Sequence, residues 1–262
     1  MTDPLPVLSR TSGPAATISL NRPHRLNAVS LPLYRELLKQ LDRAESDDRI
    51  RVIILTGEGR AFCVGADLKD HGTADRTEGE KRSYAETAQE VCTRIQHSPK
   101  PVICMVRGYA LGAGAEMALS SDFVLMEETA QIGFPEISIG TYIGGGLSFI
   151  LPLLVGLPKA KELLFLGERI DGRTAESVGL IYRSAAADTL GSAVEALADR
   201  LSGLAPISLA IAKQQLRTAR LLPHDRAMNE EVEGLLRCMG SSDWAEGIRA
   251  FAEKRKPRFT GR

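Results

Sequence analysis

Two glutamates, Glu116 and Glu136, stand where carboxylates could exchange protons with a substrate. Each follows a turn marked by glycine or proline, in Gly112-Ala113-Gly114-Ala115-Glu116 and Gly133-Phe134-Pro135-Glu136. A third segment, Ala61-Phe62-Cys63-Val64-Gly65-Ala66-Asp67-Leu68-Lys69, lies upstream. Small residues at such turns let a ligand approach the backbone and its free N–H groups closely. Two carboxylates for proton transfer and two backbone sites for an oxyanion suit chemistry on a double bond beside a carbonyl.

Each motif has a plainer reading. The run from Gly108 to Glu116 looks like a loop entering a helix, where small residues also permit tight packing and free N–H groups attract anions. Glu116 falls in the first turns of that helix, where the dipole favours a carboxylate in any case. Asp67 could simply cap the segment after its turn. Glu136 sits among Ile132, Phe134, Ile137 and Ile139, and burial there would raise its pKa and fit it for proton transfer. Other chemistries find no support. Gly112-x-Gly114 lacks the third glycine of a dinucleotide fingerprint. The chain has neither a phosphate-loop motif nor a G-x-S-x-G nucleophile elbow.

The elements that must carry these residues alternate. Ala16–Leu20 reads as a strand stopped by Asn21-Arg22-Pro23. Ser30, with Pro32 behind it, opens a helix striped by Leu33, Leu37, Leu38, Leu41 and Ala44. Arg51–Leu55 and Pro101–Val106 read as buried strands, with a helix over about 80–95 between them and an irregular, mobile loop over 70–79. Short strands come next at Phe123–Met126 and Gln131–Gly133. This alternation predicts an α/β class. From Lys159 onward helices dominate, over 159–166, 174–178, 190–204, 206–219, 224–238 and 242–255. A boundary near Thr189 therefore separates an α/β core, 1–189, from a helical region, 190–262.

Composition bounds the rest. The chain has 262 residues, 44% hydrophobic and 25% charged, with zero formal net charge. That is chain enough for a sizeable core, and no global field points to nucleic acid or membrane. No stretch is apolar enough to span a bilayer, and the first residues lack a basic region followed by an apolar run, so a cytoplasmic protein is expected. Cys63, Cys92, Cys104 and Cys238 are scattered and expected reduced. The four histidines show no metal-ligand spacing, so no metal site is expected.

In order along the chain, five motifs closely resemble the enoyl-CoA hydratase/isomerase (crotonase) superfamily. They are Ile18-Ser19-Leu20-Asn21-Arg22-Pro23-x-x-Leu26-Asn27-Ala28, the Ala61–Lys69 segment, Gly108–Glu116, Phe134-Pro135-Glu136-Ile137 and Phe251-x-Glu253-Lys254-Arg255-Lys256. The resemblance runs from about residue 15 to 258. It implies a spiral of ββα units with a C-terminal helical trimerisation region, giving trimers or pairs of trimers. It implies an acyl-CoA thioester substrate, with coenzyme A as part of that substrate and no separate cofactor. By the same resemblance the oxyanion hole would be the N–H groups of Ala66 and Ala113, and Gly144 would help position a water. Coenzyme A would pass Arg25, Leu26, Ala66, Asp67, Leu68 and Lys69. Phe251 and Lys254 would reach a neighbouring subunit's coenzyme A.

Hydratases of this superfamily use carboxylates at the positions of both Glu116 and Glu136, whereas many isomerases keep only the second. The sequence departs from the pattern at Ala113, where glycine is usual, and at Phe149-Ile150, where hydratases carry Gln-Arg. The second change implies a more apolar acyl pocket. Competing expectations are an enoyl-CoA isomerase using Glu136, a thioester hydrolase on the same scaffold, and a non-catalytic RNA-binding scaffold using the basic Lys254–Arg258 tail.

Overall fold

A computed structural model describes residues 5–68 and 76–262. Strands β1 (Val7–Ser12) and β2 (Ala15–Leu20) form a hairpin that leads into α1 (Leu31–Ser46). Ser30 is the N-cap residue of α1 by position, though its side chain makes no capping bond. Then come β3 (Val52–Gly57), α2 (Glu78–His97), β4 (Val102–Val106), β5 (Tyr109–Leu111) and α3 (Ala113–Leu119). Next are β6 (Phe123–Glu127), β7 (Gln131–Gly133), a 3-10 turn over Pro135–Ile139 and α4 (Leu147–Leu166). Short elements β8 (Arg169–Asp171), α5 (Gly172–Ser177) and β9 (Arg183–Ala185) precede four helices. These are α6 (Leu190–Ser202), α7 (Pro206–Thr218), α8 (His224–Met239) and α9 (Ser242–Ala252).

The main sheet has the order β1-β2-β3-β4-β6-β9, antiparallel at β1–β2 and parallel elsewhere. A second sheet, β5-β7-β8, lies beside it, and the bridge Cys63↔Ala110 joins the Ala61–Ala66 segment to β5. The α/β expectation and the repeated strand-strand-helix order hold. The near-continuous apolar run of β3 has a physical cause: its two faces are both covered. Ile53 and Leu55 enter the main core with α1, α2, α3 and α4, while Val52 and Ile54 meet Leu190, Val194, Ala198 and Leu201 of α6. Each such side chain contributes roughly 1.5–3 kcal/mol when fully buried.

Several short elements were not foreseen, namely β1, β5, β8 and β9. In β1 only Val7 is buried, so it lacks the alternation that marks a half-buried strand. Strands β5, β8 and β9 are three residues each, too short to show a period. Helix α4 begins at Leu147, twelve residues ahead of the expected start at Lys159, because Pro152, Pro158 and a kink at Gly156 mask its pattern. The loop expected over 70–79 lies mostly outside the described residues. Glu78 and Gly79 belong to α2, which Thr77 and Glu80 open with a reciprocal capping box.

Candidate active site

Glycines set the position of both glutamates. Gly112, at φ +53°, turns β5 into α3, and a Cβ there would lie 2.7 Å from Glu136 Oε1. At Gly114 a Cβ would fall 2.4 Å from the Cys63 carbonyl oxygen. Alanine at either position would push apart the surfaces that meet there. The Gly112 N–H also donates to the Gly133 carbonyl at 3.0 Å, which ties the turn before Glu116 to the strand before Glu136.

Both carboxylates are buried, Glu116 at 8% exposure and Glu136 at 7%. Burial pushes Glu116 up to about 7, against a hydrogen bond that favours its charged form. That bond comes from the Gly144 N–H to Glu116 Oε1, at 2.6 Å. The negative charge of Glu136 raises Glu116 further. Burial also raises Glu136. Its Oε2 is buried and has no hydrogen-bond partner among the described residues. The surroundings of Glu116 are otherwise neutral, since burial pushes the Cys63 and Cys92 thiols up to about 12.

Both glutamates face one cleft of about 580 Å³, whose walls include Gly65, Ala66, Leu68, Gly112, Ala113 and Gly144. Tyr34, Tyr84, Ala88, Gln89, Ile139 and Tyr142 complete the more apolar side. Ala113 opens α3, so its N–H lies in the turn that lacks intrahelical acceptors. A Cβ on Gly65 would lie 3.6 Å from the Ala113 nitrogen, so the Ala66 segment and the start of α3 are neighbours. Neither the Ala66 nor the Ala113 N–H donates to a backbone carbonyl among the described residues.

The remaining predicted residues divide. Leu68 is exposed at the cleft. Asp67 is buried and paired with Arg22, whose Nη2 donates to Asp67 Oδ2 at 3.0 Å. Arg25 closes a 3-10 turn, and Leu26 comes next at φ +50° and accepts from the Val64 N–H at 3.3 Å. The pair therefore adjoins the Ala66 segment without lining the cleft. Lys69 lies outside the described residues. Phe251, 89% exposed at the end of α9, and Lys254 do not line this cleft.

Phe149 and Ile150 do not line it either, which removes the ground for inferring a more apolar acyl pocket from them. Both lie on the first turn of α4, where Leu147 points into the core instead. Phe149 lies under the Arg220 guanidinium at 4.3 Å, and Ile150 lines a separate hollow with Leu154 and Tyr182.

Sequence reasoning missed three supporting side chains. Asn27 is fully buried, donates to the carbonyls of Glu58 and Ala61 at 2.9 and 2.8 Å, and accepts from the Arg22 N–H at 2.8 Å. It fixes the turn behind the Ala66 segment. Gln89 and Gln96, both on α2, hold Gly145. For Asn27 the available signal was its type, since asparagine tolerates the left-handed conformation it adopts at φ +58°. For the glutamines the signal was their spacing of two helical turns on one face.

A sequence model of the family described as enoyl-CoA hydratase/isomerase matches residues 10–262. The chain belongs to the enoyl-CoA hydratase/isomerase family. Among its relatives, the 2,3-dehydroadipyl-CoA hydratase of Escherichia coli (strain K12) is 35% identical, with 94% of each chain covered. The 1,2-epoxyphenylacetyl-CoA isomerase of the same organism is 32% identical, with 98% of each covered. A solved enoyl-CoA hydratase from Bacillus anthracis superimposes with a TM-score of 0.93 at 30% identity, covering 98% of this chain and 100% of that one. The match extends to fold as well as sequence, and membership implies a coenzyme A thioester as substrate. Among the described residues no helix is long and apolar enough to cross a membrane.

Proposed function

We propose that the cleft adds water across the 2,3 double bond of a 2-enoyl-CoA thioester. The observation that carries this reading is the pair of buried carboxylates lining one cleft. A proton shuttle for double-bond migration needs only one of them. In this reading Glu116 and Glu136 hold a water over the β-carbon. Glu116 takes a proton from that water as its oxygen bonds to the β-carbon. The N–H groups of Ala66 and Ala113 hold the enolate charge on the thioester oxygen. Glu136 gives its proton to the α-carbon, and exchange with solvent resets the pair.

The two environments favour this division of labour. The Gly144 N–H stabilises charge on Glu116, while Glu136 has only its own backbone N–H for this and its Oε2 has no partner among the described residues. Burial raises both carboxylates and the charge of Glu136 raises Glu116 further, so the two sites titrate as a pair. A base titrating near neutrality is well matched to its task.

Coenzyme A is part of the substrate in this proposal, and no separate cofactor takes part. Arg25, Leu26, Leu68 and Lys69 flank its path, with Asp67 holding that segment in place. Residues 190–262 form the contacts of a homotrimer or of paired trimers. Phe251 and Lys254, which do not line their own cleft, meet coenzyme A bound to a neighbour. The buried, unpaired cysteines suit a reducing, cytoplasmic setting.

The test is the loss of enoyl-thioester absorbance on mixing the protein with crotonyl-CoA, compared with Glu116→Gln and Glu136→Gln. Rapid loss in the wild type, with both variants strongly impaired, is expected. Activity that survives Glu116→Gln while failing in Glu136→Gln would favour double-bond isomerisation instead.

A further inference from the structure

Helix α2 grips the glycine turn opposite Glu116 by both ends of one residue. The Gly145 N–H donates to Gln89 Oε1 at 3.1 Å, and the Gly145 carbonyl accepts from Gln96 Nε2 at 2.8 Å. Gln96 Nε2 also donates to Ser120 Oγ at 3.0 Å, at the far end of α3. The two glutamines stand seven residues apart on one face of the helix. Gly145, at φ +64°, leaves no slack: a Cβ there would lie 3.0 Å from Glu116 Cβ and 3.1 Å from Cys92 Sγ. The preceding residue is Gly144, whose N–H meets Glu116.

We infer that Gln89 and Gln96 are positioning residues, which aim the Gly144 N–H at Glu116 and thereby set the proton affinity of that carboxylate. The inference rests on the proposed role of Glu116 only for its catalytic consequence. A backbone donor acts on a carboxylate only while it is aligned, since hydrogen bonds weaken steeply with angle. Gly144 belongs to a glycine run, Gly144-Gly145-Gly146, which has little conformational preference of its own. The Leu147 N–H donates to the Gly144 carbonyl at 3.1 Å, and the glutamines add the hold on Gly145 from outside. The other groups facing Glu116 are Glu136 from the 3-10 turn, Cys63 from the Ala61 segment, Cys92 and Tyr84 from α2, and Tyr34 from α1. None of these supplies a cation to replace the lost donor.

The test is a carbon NMR titration of protein labelled at its glutamate carboxyls, with the Glu116 signal assigned by its loss in Glu116→Gln. Gln89→Met and Gln96→Met keep side-chain length and remove the polar grip. Gln89 is exposed, so its variant folds even where the Gln96 variant is weakened. Val91→Ala, which opens a void in the buried face of the same helix, controls for general loosening. A rise of about one unit in the Glu116 midpoint in both methionine variants, with none in Val91→Ala, is expected. An unmoved midpoint, a shift in only one glutamine variant, or an equal shift in Val91→Ala would overturn the inference. The wild-type crotonyl-CoA assay separates the two claims. A shifted midpoint without hydration would sink the reaction and keep the clamp, and hydration with a fixed midpoint would do the reverse.

Discussion

The cleft and the C-terminal helices handle polarity in opposite ways. Around Glu116 and Glu136 the fold encloses carboxylates among Tyr34, Phe134 and Ile143. In α7 and α8 no residue is buried at all, and Leu216, Leu221, Leu235 and Leu236 face outward. The first region spends stability to hold groups in an unfavourable state. The second leaves several large apolar side chains exposed. Buried carboxylates with few partners suit chemistry, and exposed apolar side chains suit the assembly proposed above. What ties them is Lys213 of α7, whose Nζ donates to Asp122 Oδ2 at 2.7 Å and to the Ile95 and Lys100 carbonyls.

The contrast can be broken most forcefully in the cleft. Glu116→Gln and Glu136→Gln should each lower kcat for hydration by about 10²–10⁴-fold, read in stopped-flow absorbance. Gly112→Ala should cost about 10²-fold in kcat/KM, because the new methyl meets Glu136 Oε1 and displaces it. Normal activity in Gly112→Ala would show that Glu136 need not occupy this position.

Stability should separate the same regions. Asn27→Ala should lose roughly 2–4 kcal/mol in urea denaturation, since it strands three backbone partners, one buried and two half-buried. Glu116→Gln should do the opposite. Its native carboxyl is raised from 4.5 to about 7, so the folded state binds the proton more tightly than the unfolded state. That stabilisation is complete below about pH 4.5 and is lost as pH rises through 7. The glutamine variant should therefore match the wild type in acid and exceed it by up to about 3 kcal/mol at pH 8. The same ionisation should make kcat/KM fall as pH drops through 7. The smallest effect belongs to the helical end. Leu216→Glu with Leu235→Glu should change urea stability of the isolated subunit by only about 0.5 kcal/mol, yet alter the sedimenting mass.

Much of this was legible in the sequence where one residue type has one physical use. The β-branched run of β3 and the leucine stripe of α1 each point to a single arrangement, whereas the glycines before Glu116 allowed either a ligand site or simple tight packing. The resemblance across five motifs supplied what periodicity alone could not, the expectation that the Ala66 and Ala113 N–H groups act together. The clamp on Gly145 was not legible, because a glutamine on a helix face reads as an ordinary surface residue. Nor was the separation of Phe149 and Ile150 from the cleft, since their distance from Glu136 along the chain says nothing of which way the first turn of α4 faces. Asp67 illustrates a different limit: its type suggested a cap and the resemblance a place on the coenzyme A path, and only the fold shows Arg22 holding it.

The central claim is that water enters the product, and mass spectrometry of crotonyl-CoA incubated with the protein in isotopically heavy water tests it most directly. The account predicts a 3-hydroxyacyl thioester heavier by one water, with the heavy oxygen on the β-carbon and its formation suppressed in both glutamine variants. Unchanged crotonyl-CoA, or a thioester whose double bond has moved with no oxygen gained, would contradict it.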